Sequence, residues 1–476
     1  MQTILSALSI LFLSSLVTFS LYLIGTSIIG FKISENCPDR GFTSLILGVS
    51  FIIVLTYVSS KLGIGLNKSI KIIFLLVVPI IFLRLLQIII WKPEQRKKLA
   101  NEIMSQILNH ILSSCVAIIS IIFPLRYFTR YEKIIPILSL GNNDAGSYLA
   151  QATAINRSGF TGEGFIQNAD YFKFTGVRDF GGPSLIAYVS NLLNIEIWTS
   201  FTVCLMAVVA LTFLACRQLL KVLYIMRQSH TIIASSFLVL NPITFYLVGN
   251  NFLTQLLAMF SWTALLYGTL TIFSKKLIIS QQVIVVTSAS SIALYSYPHM
   301  GLIHMFIIIS SVVACLLYFF FLKYIKKIQL SLTLDCRRAL KAFAISLLLS
   351  LALALPFLYI AVKLLYERTS DDVGWPLAEP VTFANLFVTG NFPNKALTPV
   401  WILLSIFMLV YIFTQFKTSL VRQFEQNELG LYSKYFRFLV FFNLFFLFYL
   451  LSMGQDLIDL GSLHFLFYRC YFNSLF

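Results

Sequence analysis

Residues 1–25, MQTILSALSILFLSSLVTFSLYLIG, contain no charged side chain and open the chain with one long apolar run. A bilayer core about 30 Å thick requires roughly 20 mostly apolar residues per helix. The stretch is therefore predicted to be a membrane-spanning helix. It lacks the basic start and the small-residue cleavage site of a signal peptide, and its apolar run is too long for one. We therefore expect it to be retained as the first span.

The composition of the whole chain is that of a membrane protein. Of its 476 residues, 58% are hydrophobic and only 11% are charged, whereas soluble globular domains carry about 25% charged residues. The net charge of +16 does not indicate a nucleic-acid partner, because the basic residues stand in short clusters between apolar runs, where they orient helices in the bilayer. The cysteines are scattered without a CxxC pair, so we expect them to be packing residues.

Apolar runs of spanning length recur along most of the chain. They predict an all-α polytopic membrane protein with about 12 transmembrane helices and a long extracytoplasmic loop that carries short interfacial helices. The predicted spans cover residues 4–30, 43–60, 72–91, 107–125, 199–216, 231–248, 252–274, 279–296, 301–322, 342–366, 398–416 and 436–453. The predicted domains are an N-terminal four-helix membrane segment at 1–130, the extracytoplasmic loop at 131–198, membrane core helices at 199–366, a second extracytoplasmic loop at 367–397, and C-terminal membrane helices at 398–476, which we expect to be truncated.

Lysine and arginine predict the orientation of these spans, because cytoplasmic loops carry an excess of both. With the N-terminus outside, most of the 35 basic residues fall on the cytoplasmic side. This orientation puts the long loop on the extracytoplasmic face. The cluster Lys61, Lys68 and Lys71 does not fit, because it falls outside.

The long loop is rich in aromatic residues, and disordered segments are depleted in them. Within it, AGSYLAQATAINRSG predicts a short helix that is capped near Asp144 and ends at Gly159. The stretch GGPSLIAYVSNLLN, residues 181–194, predicts a second short helix that lies in the interface, because it is too short to cross. Other polar residues of the predicted outer loops are Arg178, His299, Arg368, Asp371 and Asp372.

Two parts of the sequence resemble the GT-C class of integral membrane glycosyltransferases. One is the acidic residue that opens the long outer loop, in the order Asn143, Asp144 and then Tyr148. The other is NPITFYLVGNNFLTQLLAMFSWTALL, residues 241–266, where a proline-bearing span turns tightly into the next. The resemblance implies transfer of a sugar from a polyprenyl-phosphate carrier to a glycan, lipid or protein acceptor. It also implies a multi-pass protein of a bacterial inner membrane, with an extracytoplasmic active face.

The resemblance implies that Asp144 is the catalytic base on the acceptor hydroxyl. A cationic or hydrogen-bonding group must face the phosphate that leaves, and Arg178, Arg368 and His299 are the candidates. No cofactor is expected, and a divalent cation is not indicated, because hard cations prefer several oxygen ligands and the site offers one carboxylate. The full set of predicted substrate-binding residues is Asn143, Tyr148, Arg178, His299, Arg368, Asp371 and Asp372.

Two alternatives remain open from the sequence. Asp144 could serve only as the cap of its short helix, which is worth about 1 kcal/mol. The chain could also be a polytopic transporter or a flippase for lipid-linked sugars, since about 12 spans is a common transporter size. A transporter is expected to bury ionisable groups within its spans, whereas the polar groups of this sequence lie mostly at loop level.

Overall fold

The computed structural model describes residues 2–29, 40–89, 93–121, 125, 135, 144–157, 180–223, 228–240, 244, 247–248, 251–272, 279–298, 301–302, 305–306, 309–310, 313, 341–353 and 355. The regular secondary structure of these residues is helical, and none of them lies in a strand. The longer helices are α1 (Gln2–Ile29), α2 (Arg40–Lys61), α3 (Leu66–Ile89), α4 (Pro93–Ile119), α5 (Asp144–Arg157), α6 (Gly181–Leu193), α7 (Ile197–Leu223), α8 (Gln228–Val239), α9 (Leu253–Ile272), α10 (Ile279–Ser296) and α11 (Lys341–Leu353).

The all-α prediction is confirmed for the described part of the chain. Among the described residues, five helices are long and apolar enough to cross a membrane, which indicates an integral, multi-pass membrane protein in contact with lipid. They are Gln2–Ile29, Gly41–Lys61, Ala100–Ile119, Ile197–Val222 and Leu253–Thr271. The predicted spans at 398–416 and 436–453 and the second outer loop at 367–397 lie outside the described residues.

Helices α4 and α8 are among those that differ from the predicted spans. Helix α4 begins at Pro93, well before the predicted start at residue 107. Its polar first turns contain good helix formers, and proline at the first position with Glu94 behind it favours a helix start. Helix α8 ends at Val239, short of the predicted end at 248. Pro242 follows, and proline disfavours the helical conformation of the residue before it.

Helices α1 and α2 cross at two glycines. A Cβ atom at Gly25 would collide with the carbonyl oxygen of Ser44, and one at Gly48 would collide with the carbonyl oxygen of Leu21. Small residues allow helix backbones to approach this closely in membrane proteins. The outer side of α1 keeps Ile4, Leu8 and Phe12 exposed, as expected of a surface that faces lipid.

The chain divides into two compact units. The first comprises Met1–Ala215, Leu247–Ser261 and Tyr295–Tyr297, and the second comprises Cys216–Tyr246, Trp262–Leu294 and Pro298–Phe476. In the second unit, the Gln282 amide donates a hydrogen bond to the Thr271 carbonyl at 3.0 Å, and the Thr287 hydroxyl donates to the Ser346 carbonyl at 3.3 Å. Buried polar side chains therefore link α9, α10 and α11 there.

Candidate functional site

Helix α5 forms because its apolar residues recur at helical spacing. Ala145, Tyr148, Ala152 and Ile155 share one face, and all are buried. The helix begins at Asp144 and ends at Arg157, close to the predicted helix. The predicted short helix is therefore confirmed, and one of its faces packs against protein.

Helix α6 confirms the second predicted short helix, but its surroundings differ from those of a helix on the membrane surface. All of its residues from Gly181 to Ser190 are buried. Tyr188 lies within hydrogen-bonding distance of the Ser20 hydroxyl, 2.9 Å away in α1. Burial raises the pKa of the Tyr188 phenol, so this group stays neutral. The first ten residues of α6 are thus enclosed by protein.

Helices α5 and α6 run side by side in the same direction. At their starts, the Tyr148 hydroxyl lies 2.8 Å from the Thr254 hydroxyl, and a Cβ at Gly182 would lie 3.0 Å from the Thr254 methyl group. At their ends, the Asn191 amide donates to the Asn156 side-chain oxygen at 2.6 Å. Because Thr254 lies in the first turn of α9, three helices begin around one point.

We call this region the helix-start cluster and define it as Tyr148, Gly181, Gly182, Asn251, Thr254 and Ser296. Ser296 ends α10, and a Cβ on Gly181 would collide with its hydroxyl oxygen. Helix starts carry partial positive charge, and helix ends carry partial negative charge. With three starts and one end, the cluster favours an anionic group.

Two members of the cluster are buried polar residues without a hydrogen-bond partner for their side chains among the described residues. They are Asn251, for both side-chain atoms, and Ser296, for its hydroxyl. Each is 0% exposed. Buried polar atoms are nearly always hydrogen-bonded. These atoms are therefore candidates to bind a polar ligand, with the amide and the hydroxyl as donors.

The other polar members of the cluster, Tyr148 and Thr254, are linked to each other and to Gln255 by hydrogen bonds. Thr254 donates to the Gln255 side-chain oxygen at 2.9 Å, which uses its only proton. Tyr148 must therefore be the donor in its 2.8 Å contact with Thr254. The Tyr148 hydroxyl thus fixes the start of α5 against the start of α9.

Aromatic rings lie beside the cluster. The Tyr57 ring meets the rings of Phe180 and Tyr295 edge to face, with centroids 5.4 Å and 5.3 Å away. The Lys61 ammonium lies 5.6 Å from the Tyr57 ring centroid. The sequence places the end of α2, the loop helices, the turn before α9 and the end of α10 on the outer face. The structure brings these parts together at one end of the first unit, and the side they face stays a prediction.

The predicted site residues have different outcomes. Tyr148 lies in the helix-start cluster, and Asp144 is the first residue of α5, one helical turn before it. No three histidine, cysteine, aspartate or glutamate residues of the described segments gather as a metal site. The predicted residues that lie outside the described residues are Asn143, Arg178, His299, Arg368, Asp371 and Asp372.

Sequence reasoning missed Asn251 and Ser296. The sequence predicts a tight turn within residues 241–266, and Asn251 lies in that turn with a left-handed φ of 60°. The sequence gives no sign that its side chain is buried. The sequence signal for a close contact here is the pair Gly181 and Gly182 at the start of α6. Glycine at a helix start allows another group, here Ser296 or Thr254, to approach the backbone closely.

Replacing Tyr148 by phenylalanine is expected to lower the free energy of unfolding by about 1 kcal/mol, because one buried hydrogen bond is lost. Thermal unfolding of the purified protein in detergent measures the loss. Thr254→Val is the matched variant, since it removes the same contact from the other side. The sum of the two single-variant losses in unfolding free energy should exceed the loss of the double variant. If the two losses are fully additive, the contact between Tyr148 and Thr254 makes no contribution.

The helix-start cluster is defined by contacts within one unit of this chain. Its polar donors, its helix starts and the neighbouring Lys61 all favour a negatively charged ligand. No protein-family model, curated protein or solved structure matches the chain.

Proposed function

We propose that the chain is a membrane glycosyltransferase that moves a sugar from a polyprenyl-phosphate carrier to an acceptor hydroxyl on the extracytoplasmic face. The acceptor is a glycan, a lipid or a protein. The observation that carries the proposal is the meeting of three helix starts at buried polar side chains, with Asp144 opening one of the three helices.

The first supporting argument concerns the phosphate of the carrier. When the bond to the sugar breaks, the phosphate gains negative charge and needs donors that are already oriented. The cluster offers the partial positive charge of three helix starts, the Asn251 amide and the Ser296 hydroxyl. The start of α6 has no side-chain hydrogen bond as a cap. Its glycines allow Ser296 and Thr254 to approach the backbone closely.

The second argument concerns the acceptor. A hydroxyl that attacks the anomeric carbon loses its proton as the new bond forms, and a carboxylate placed nearby can accept it. Asp144 is the one acidic residue of α5, and it stands one turn from Tyr148 of the cluster. The proposal therefore assigns proton acceptance to Asp144 and phosphate recognition to the cluster.

The test is an assay of the purified full-length protein with a panel of polyprenyl-phosphate sugars and a mixture of candidate acceptors. Mass spectrometry of the products should show acceptor mass increased by one sugar, together with released polyprenyl phosphate. Carrier without sugar is the control. The proposal would be contradicted if the donor stays intact in every reaction although circular dichroism shows that the protein is folded.

One observation favours the alternative of a transporter or flippase. His110 lies inside the candidate span Ala100–Ile119, is 3% exposed, and has no hydrogen-bond partner for either ring nitrogen among the described residues. Its ring centroid lies 5.8 Å from those of Phe19 and Tyr22. An ionisable residue within a span is a functional candidate by default, often in a proton or substrate pathway.

His110→Phe separates the two functions. Phenylalanine keeps the three-ring packing and removes the buried nitrogens, so we expect the free energy of unfolding to rise by about 1 kcal/mol. Sugar transfer should be unchanged, because His110 has no part in the proposed chemistry. Thermal unfolding and the transfer assay measure both effects. The transporter or flippase alternative would be established by a different result. In that case the unmodified protein flips lipid-linked sugar in proteoliposomes but transfers none, and His110→Phe abolishes the flipping.

A further inference from the structure

Four exposed cationic residues gather at one end of the first unit, and we call them the basic rim: Lys61, Lys68, Lys71 and Arg157. Lys61 ends α2, and Lys68 and Lys71 lie near the start of α3. Arg157 ends α5. A Cβ at Gly65 would collide with the carbonyl oxygen of Arg157, so the turn between α2 and α3 touches the end of α5.

Lys68 stands in the first turn of α3, where its charge is unfavourable for the helix, and Lys71 follows in the second turn. Cations near a helix start oppose its partial positive charge, and the first turn of α3 contains no acidic residue to compensate. Among the described residues, no carboxylate forms an ion pair with any member of the rim. The same lysines also contradict the predicted orientation, which places them outside. Lys61 and Arg157 stand at helix ends, where cations are favourable, whereas neither the folding of α3 nor the predicted orientation accounts for Lys68 and Lys71.

The surface next to the rim is apolar and continuous with it. Lys71, Leu75, Val78 and Phe82 recur at spacings of four and three residues, so they share one face of α3. Leu75 is 75% exposed, Val78 57% and Phe82 59%. At the rim itself, Leu62 of the turn is 68% exposed. Ammonium groups thus lie at the end of an apolar stripe that is long enough for an acyl chain.

We propose that the basic rim binds the headgroups of anionic phospholipids, whose acyl chains lie along the apolar stripe of α3. A lipid combines a phosphate and an acyl chain in the arrangement that this surface presents, charge at the end and apolar contact along the helix. A soluble anion would contact the lysines alone, whereas a lipid would contact both the lysines and the stripe. The rim shares no member with the helix-start cluster, although Lys61 lies beside that cluster, and the inference does not depend on sugar transfer.

The experiment uses the full-length protein in phosphatidylcholine nanodiscs that contain a trace of photoactivatable phosphatidylglycerol. After irradiation, mass spectrometry of peptides should locate adducts within residues 58–82. Lys68→Gln with Lys71→Gln should lower labelling of this segment about tenfold, since each cation near an anionic headgroup strengthens binding several-fold. Labelling of the unmodified protein should also fall as salt is raised.

Two controls make the result specific. Arg96→Gln with Lys97→Gln removes two exposed cations at the start of α4, at the opposite end of α3, and should leave labelling of residues 58–82 unchanged. Lys68→Arg with Lys71→Arg keeps the charge and should label like the unmodified protein. Equal labelling by photoactivatable phosphatidylcholine, or full labelling of the glutamine variant, would overturn the proposal. Displacement of the label by millimolar inorganic phosphate would also overturn it, because it would indicate a site for free anions.

Discussion

Gly48→Ala should lower the free energy of unfolding by about 3 kcal/mol, an unusually large effect for one methyl group. The reason is the crossing of α1 and α2, where the new Cβ would collide with the carbonyl oxygen of Leu21. Backbone atoms cannot rotate away as a side chain can, so the helices must separate. At Gly25, a Cβ would collide with the Ser44 carbonyl on the other side of the same crossing. The double variant Gly25→Ala with Gly48→Ala should therefore yield little folded protein.

Gly146→Ala is the matched control. Gly146 lies in α5, and a Cβ there would have no atom within 4 Å. Alanine stabilises a helix relative to glycine by up to about 1 kcal/mol, so this variant should unfold at the same temperature or a higher one. Size-exclusion chromatography and thermal unfolding in detergent measure both variants. Equal unfolding temperatures for Gly48→Ala and the unmodified protein would show that α1 and α2 do not cross at these glycines.

The first helices were predictable because hydropathy alone decides them. The runs at 4–30 and 43–60 contain few polar interruptions, and α1 and α2 follow them closely. Helix α4 was harder, because PEQRKKLANEIMSQ is polar and a search for apolar runs excludes it. Helix propensity and a proline at the first position extend the helix beyond its apolar part. Hydropathy therefore predicts which residues can cross the bilayer, whereas the ends of a helix depend on helix propensity and on the residues at its first positions.

The candidate site was only partly predictable for a different reason. The short helix that begins at Asp144 could be inferred from its residue pattern, and so could the helix that follows Phe180. Their parallel packing against Thr254 depends on contacts more than 70 residues apart along the chain, which no local pattern encodes. Asn251 shows the same limit. Its turn is a local property and was predicted, whereas its burial depends on which helices surround it.

Asp144→Asn is expected to lower the rate of sugar transfer by about 10²–10⁴, the usual contribution of a general base. Asparagine has nearly the same size as aspartate but cannot accept the proton of the acceptor hydroxyl at neutral pH. The variant should fold, because asparagine is as good as aspartate at a helix start. We therefore expect an unchanged unfolding temperature and unchanged binding of the carrier, with product formation nearly lost in the transfer assay.

Asp144→Ala separates the chemical role of this residue from a purely structural one. Alanine removes both the carboxylate and the capping oxygen, so it should lose activity and also destabilise the start of α5 by about 1 kcal/mol. If Asp144 only caps the helix, Asp144→Asn keeps its activity and Asp144→Ala loses it in proportion to its stability. If Asp144 is the base, both variants are inactive although only Asp144→Ala is less stable. The asparagine variant thus decides the question, because it keeps the cap and removes only the base.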